Sequence, residues 1–138
     1  MRLFRYIILA IITLSSTTFA LAQETVHTEG YIVLTKNVQQ LKPIILAAQQ
    51  LIEEDKGNPN VFEIIICGKA VNDLQNDSII QPLIEFATKN NVTILACGFS
   101  LQKFKIDSTK IPKKIGIVEN GILYNFQRQK QGALSIEL

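Results

Sequence analysis

Val61-Phe62-Glu63-Ile64-Ile65-Ile66-Cys67-Gly68 and Val92-Thr93-Ile94-Leu95-Ala96-Cys97-Gly98 are two apolar runs of strand length, each stopping at a cysteine followed by a glycine. Both runs are nearly continuous rather than alternating, the pattern of strands covered on both faces. Working outward, residues 31–34 form a shorter β-branched run, and Lys36-Asn37 supplies a turn and a candidate helix N-cap. Val38, Leu41, Ile44, Ile45, Ala48, Leu51 and Ile52 then recur at helical spacing as far as Glu54, and Pro43 is tolerable only in the first turn. Lys56-Gly57-Asn58-Pro59-Asn60 ends that helix.

The same punctuation continues to the end of the chain. Asp77 or Ser78 caps a helix whose inward stripe is Ile80, Leu83, Ile84 and Ala87. After Cys97 come a short helix over 100–105, a strand over 115–118, a helix over 122–131 stopped by Gly132, and a closing strand over 134–138. Strands alternating with helices predict an α/β fold: a three-layer α/β/α sandwich with a mainly parallel sheet of about five strands. A chain of 138 residues has room for one such core. In parallel sheets, ligands and reactive groups collect beyond the carboxyl ends of the strands, and both cysteines fall on that edge.

The first residues are organised differently. Arg2 and Arg5 precede an apolar run over 6–14, a Ser/Thr stretch follows, and Ala20-Leu21-Ala22 stands before Gln23. A basic end, a short apolar centre and a small-x-small exit predict a signal peptide over 1–22, then a polar tail over 23–29 and the domain over 30–138. The product is expected to be periplasmic or secreted, with no stable membrane span after cleavage. Loss of Arg2 and Arg5 from the 14 basic residues leaves 12 against 12 acidic ones, so the basic excess belongs to the targeting segment. Nucleic acid is therefore not an expected partner. Lys103, Lys105, Lys110, Lys113 and Lys114 form a local basic cluster that reads as a solvated face.

Two cysteines and one histidine do not make a four-ligand structural zinc site, and Cys67 and Cys97 are not a C-x-x-C pair. No metal or other cofactor is expected. His27 lies in the polar tail, and no P-loop, G-x-S-x-G or G-x-G-x-x-G pattern occurs. Cys97 stands where a strand stops and a helix starts, facing free N–H groups and a positive helix end that favour a thiolate. Gly98 leaves room for an anion or a second sulfur, and Lys103 and Lys105 add positive potential. Such a thiolate attacks a sulfur donor and holds the transferred atom as a persulfide. The structural alternative is that each cysteine is a small buried hydrophobe. If the two cysteine strands are neighbours, Cys67 and Cys97 come within reach of each other, and in an exported protein a disulfide becomes an option.

The segment 92–101, followed by Ile106-Asp107 and Ile111-Pro112, resembles the DsrE/DsrF-like family. Members show an apolar strand, Ala-Cys-Gly, a small helix, an Asp-containing loop and a Leu-Pro or Ile-Pro step. Val118-Glu119-Asn120-Gly121 and the ending over 128–138 fit the same pattern, so the resemblance spans 31–138. It implies a one-domain α/β sandwich, often a homo-oligomer, related to sulfur-relay proteins of sulfur oxidation and tRNA thiolation. In relay members a cysteine at the position of Cys97 carries a persulfide. Phe99 and Ser100 depart from the smaller polar residues expected after Cys-Gly, and the family assigns Cys67 no role.

Two expectations compete. In one, the exported protein is a sulfur carrier, or an enzyme of sulfurtransferase type, with Cys97 reactive, Gly98, Ser100, Lys103 and Asp107 supporting, Cys67 as resolving or disulfide partner, and a protein that donates or accepts sulfur. In the other, it is a non-catalytic oligomeric binding module whose cysteines are buried or joined. Asp107 also has a plainer use, capping the turn over 108–111.

Overall fold

The computed structural model describes residues 29–55 and 61–138. The expected signal peptide over 1–22, nearly all of the tail over 23–29 and the helix break over 56–60 lie outside them. Five strands, β1 (Gly30–Thr35), β2 (Val61–Ile66), β3 (Val92–Cys97), β4 (Gly116–Val118) and β5 (Leu134–Glu137), form one sheet in the order β4-β3-β2-β1-β5. Every neighbouring pair is parallel. The α-helices between them are α1 (Leu41–Glu54), α2 (Asp77–Lys89), α3 (Gly98–Lys103) and α4 (Gly121–Lys130). This is the α/β sandwich that the alternation of apolar runs predicts.

Strand order decides which helix covers which face. From β1 to β4 the chain steps always to the same side, and right-handed crossovers then stack the intervening helices on one face. The step from β4 to β5 reverses direction, which carries α4 to the opposite face. Side-chain alternation agrees: Val33, Ile64, Ile66, Ile94 and Ala96 pack with Leu41, Ile45, Ile80, Ile84 and Leu101. Ile32, Leu34, Ile65, Leu95 and both cysteines point the other way, toward Ala133, Val118 and Tyr124 of α4. Among the described residues the face with the cysteines thus has one α-helix over it, and the opposite face has three.

Local sequence accounts for the start of each element. A turn of 3-10 helix over Val38–Gln40 leads into α1, capped by the Asn37 side chain, which accepts from the Gln39 amide at 3.0 Å. Pro43 is the third residue of α1, within the first turn, where its missing N–H has no intrahelical partner to lose. Gly68, at φ +64°, lets the chain turn sharply after Cys67 into a 3-10 helix over Gly68–Gln75 that buries Ala70, Val71 and Leu74. The apolar pattern did not predict that segment, since its 3-10 geometry matches neither period. α3 begins at Gly98 rather than at residue 100, because β3 runs through Cys97 and the Phe99 amide donates to the Glu119 carbonyl at 2.9 Å. Among the described residues no helix is long and apolar enough to cross a membrane.

Candidate functional site

Cys97 ends β3 and Cys67 follows β2, and the register Ile66↔Ala96 makes the two cysteines the next pair along adjacent strands. Both side chains lie on the face covered by α4, in one apolar cluster with Ile32, Leu34, Ile65 and Leu95. Exposure is 6% for Cys67 and 4% for Cys97, and both are free thiols. The first residue of α4 closes over them. A Cβ built at Gly121 would stand 2.7 Å from Cys67 Sγ, 2.8 Å from Ile65 Cγ2 and 3.2 Å from Cys97 Cβ. Only a glycine lets the helix start this close to two sulfurs.

The first amides of α4 all have partners, and one of them goes to sulfur. Asn120, the N-cap, accepts from Ile122 at 3.0 Å and Leu123 at 3.2 Å through its side chain, and from the Tyr124 amide at 2.9 Å through its carbonyl. The remaining donor, Gly121 N–H, bonds Cys97 Sγ at 3.3 Å. Four orphan donors are the rule at a helix start, and an anion is the partner they favour. The start of α4 therefore serves Cys97 from across the sheet edge, beside the Ser100 amide of α3, the helix that follows Cys97 directly.

Ser100 links the two strand ends. Its Oγ accepts from the Gly68 amide at 2.9 Å, which leaves its single proton for Cys97. Burial pushes the Cys97 thiol up, but hydrogen bonding from the Ser100 hydroxyl, the Gly121 and Ser100 amides and the Cys67 thiol holds it below its ordinary value. Cys67 moves the other way. Burial, the neighbouring Cys97 charge and its hydrogen bond to Cys97 push it up to about 12, against a smaller lowering by Lys36. The pair is an asymmetric dithiol, in which Cys97 is the more readily ionised thiol and Cys67 the less.

Solved structures that the chain resembles are themselves of unassigned activity. MTH1491 of Methanobacterium thermoautotrophicum, described as a protein of unknown function, aligns with a TM-score of 0.63 at 20% identity, over 78% of this chain and 99% of that one. BT1422 of Bacteroides thetaiotaomicron, a conserved protein of unknown function, gives 0.58 at 18% identity, over 78% and 94%. The ychN protein of E. coli gives 0.54 at 16% identity, over 78% and 99%. What these proteins share with the chain is the fold. No protein-family profile matches the chain, and no curated protein matches it either.

The structure brings Cys97, Cys67, Gly98 and Ser100 together and leaves Lys103 and Asp107 apart. The backbone approach permitted by Gly98 is that of the β4–α4 loop: a Cβ there would meet the Glu119 carbonyl at 3.0 Å and that of Val118 at 3.1 Å. Room for the sulfurs comes from Gly121 instead. Lys103 is exposed with its ammonium 5.9 Å from the centre of the Phe104 ring, and Lys105, Lys110, Lys113 and Lys114 are exposed as well. Asp107 caps the 3-10 turn Ser108–Lys110, accepting from Thr109 N at 2.9 Å and Thr109 Oγ1 at 2.7 Å, and these bonds hold its carboxyl below the usual range. Among the described residues no group of three or more His, Cys, Asp or Glu side chains could hold a metal ion.

Three features escaped the sequence reading. Asn120-Gly121 was visible as a cap followed by a glycine, yet nothing local tells that this helix start lands on Cys97. Lys36 lies beside Gly68 and pairs with Glu137 of β5, adding a cation near Cys67. Glu63, buried in the middle of β2, accepts from Tyr124 Oη and Arg128 Nε, both at 2.7 Å, and so ties α4 to the sheet. Burial and the hydrogen bond to Glu63 push Tyr124 up to about 12. An acid inside an apolar strand was the available signal, since such a residue requires partners on the covering helix. A separate apolar groove of about 430 Å³, lined among others by Tyr31, Pro43, Leu51, Phe62, Leu134 and Ile136, is not lined by either cysteine.

Proposed function

We propose that the protein is an exported sulfur carrier of the DsrE/DsrF-like type, in which Cys97 takes a sulfane sulfur from a donor and holds it as a persulfide. The hydrogen bond from Gly121 N–H to Cys97 Sγ at the carboxyl edge of a parallel sheet carries this reading. A sulfur that accepts from a helix N-terminal amide and from a serine hydroxyl is stabilised as the thiolate, the form that attacks a donor sulfur. In the transfer, Cys97 Sγ⁻ bonds to the outer sulfur of a donor persulfide and the donor leaves as its thiolate, so electrons balance without an oxidant. The Ala96-Cys97-Gly98 segment supports membership of the family, and the apolar outer side of α4 supports assembly into a homo-oligomer. Export rests on the basic, apolar and small-x-small order over 1–22.

Treatment of the reduced protein with a small persulfide donor tests this. In a Cys67→Ser background intact mass gains about 32 Da on one site, as for a persulfidated thiol, and the Cys97→Ser variant gains nothing. No adduct on Cys97 in either the wild type or a Cys67→Ser background overturns the proposal.

The burial of both cysteines favours a second reading, a non-catalytic oligomeric binding module in which they act as core residues. It is recognised by thiols that stay unreactive toward donors and alkylating reagents until the chain unfolds.

A further inference from the structure

Cys67 and Cys97 occupy matched positions on adjacent parallel strands, with Cα atoms that such pairing sets about 4.8 Å apart. That is inside the roughly 4.4–6.8 Å span of a disulfide. Both side chains face α4, and both pack beneath the backbone of Gly121. A sulfur held on Cys97 is therefore in contact with another thiol of the same chain. Cys97 is only 4% exposed, and Cys67 is the thiol that already adjoins it.

We infer that Cys67 is a resolving thiol that discharges the Cys97 persulfide as hydrosulfide, which makes the pair a persulfide-reducing dithiol and not only a carrier. The inference rests on the persulfide reading of Cys97. The outer sulfur of the persulfide takes the proton of Cys67, and the Cys67 thiolate so formed attacks the inner sulfur, Cys97 Sγ. The Sγ–S bond of the persulfide breaks, the outer sulfur leaves with the electron pair as hydrosulfide, and a Cys67–Cys97 disulfide remains. The sulfane sulfur is reduced by two electrons and the two thiols are oxidised by two, so a first turnover needs no further reagent. A second turnover needs an external dithiol. The product, hydrosulfide, is small enough to leave past a single helix start.

The test compares reduced wild type with Cys67→Ser after addition of one equivalent of glutathione persulfide, following sulfide with a selective electrode and the protein by non-reducing mass spectrometry after acid quench. Wild type is expected to release one sulfide per chain and to end about 2 Da lighter than the dithiol, through a mapped Cys67–Cys97 disulfide. Cys67→Ser is expected to keep the adduct of about 32 Da on Cys97, with a lifetime longer by about a hundredfold or more, since an intramolecular thiol acts at high effective concentration. Cys67→Ala, which keeps the pocket apolar, serves if the buried serine hydroxyl impairs folding. Equal adduct lifetimes in wild type and both variants, or a disulfide without matching sulfide, overturn the role of Cys67 and leave Cys97 as the carrier. Absence of any adduct in the variants together with no sulfide from wild type overturns the carrier reading itself, and the inference with it.

Discussion

The amide of Gly121 and the sulfur of Cys97, 24 residues apart in sequence, meet at 3.3 Å across the edge of the sheet. The chain achieves this by reversing its direction after β4, which brings the start of α4 over the ends of β2 and β3. One atom, the missing Cβ of residue 121, separates a thiol that receives this amide from one that is pushed away from it.

Gly121→Ala isolates that effect. Alanine is the better helix former and the position needs no unusual φ, so propensity alone would stabilise by up to about 1 kcal/mol. The added Cβ would instead fall 2.7 Å from Cys67 Sγ and 2.8 Å from Ile65 Cγ2, inside van der Waals contact. Over-packing of a core by one methyl costs about 1–3 kcal/mol, and it decides the sign. A lower denaturation midpoint in urea, together with a raised pH midpoint for Cys97 alkylation, is the expected pair of results. A more stable variant with an unchanged thiol would mean that the helix start does not touch the sulfurs.

The opposed shifts of the two thiols fix the pH behaviour. The thiolate is the reactive form, so alkylation of Cys97 reaches half its plateau below the ordinary thiol range, and Cys67 stays unreactive in the folded chain until about 12. Ser100→Ala removes the strongest of the bonds opposing burial and moves the Cys97 midpoint upward. For stability the signs differ. Cys97, lowered in the fold, contributes stability above its unfolded pKa that is lost as pH falls through the folded value. Cys67, raised in the fold, contributes stability below its unfolded pKa that is lost as pH rises toward about 12. Urea midpoints measured from neutral to alkaline pH should therefore fall less steeply in Cys67→Ala than in wild type.

Ile122, Leu123 and Phe126 on α4 are 60%, 53% and 59% exposed. Three large apolar side chains on one short helix make a patch of the sort that monomers seldom leave open. If the protein assembles through this helix, as proposed above, sedimentation velocity finds an oligomer for wild type and a monomer for Leu123→Glu with Phe126→Glu. Neither side chain is buried, so circular dichroism should stay native. A wild type that sediments as a monomer at micromolar concentration removes the assembly.

Which parts of this were legible beforehand follows from how far each signal reaches along the chain. Apolar runs ending in Cys67 and Cys97 mark strands buried on both faces, because burial there depends only on each strand's own residues, and the parallel sheet follows from the alternation of runs. Cys97 with Ser100 was legible as a strand end and a helix start for the same reason. The partner of Cys97 was not. The sequence leads to the next helix, whose Ser100 amide does serve the sulfur, whereas Gly121 belongs to the helix after the next strand, which only the strand order can place. Glu63 is a similar case: its partners Tyr124 and Arg128 are 61 and 65 residues away, a separation no local pattern carries.

Glu63 also decides how firmly the thiols are closed in. Arg128 and Glu63 are nearly buried, at 17% and 9% side-chain exposure, and removing one member of such a pair leaves an uncompensated charge worth about 3 kcal/mol. Glu63→Gln should lower stability by about that much. Replacing the set by Glu63→Leu, Tyr124→Phe and Arg128→Met should recover most of it, as apolar substitutes for buried ion pairs often do. The pair anchors α4, the helix over Cys97, so its loss should act on reactivity as well. At 4% exposure, reagents reach Cys97 only through transient opening of the α4 start. Alkylation should then be faster in Glu63→Gln than in wild type at the same pH, and the gain should be larger for a bulky maleimide than for iodoacetamide. An equal rate for both reagents in wild type and variant would place the path to the sulfur elsewhere than beneath α4.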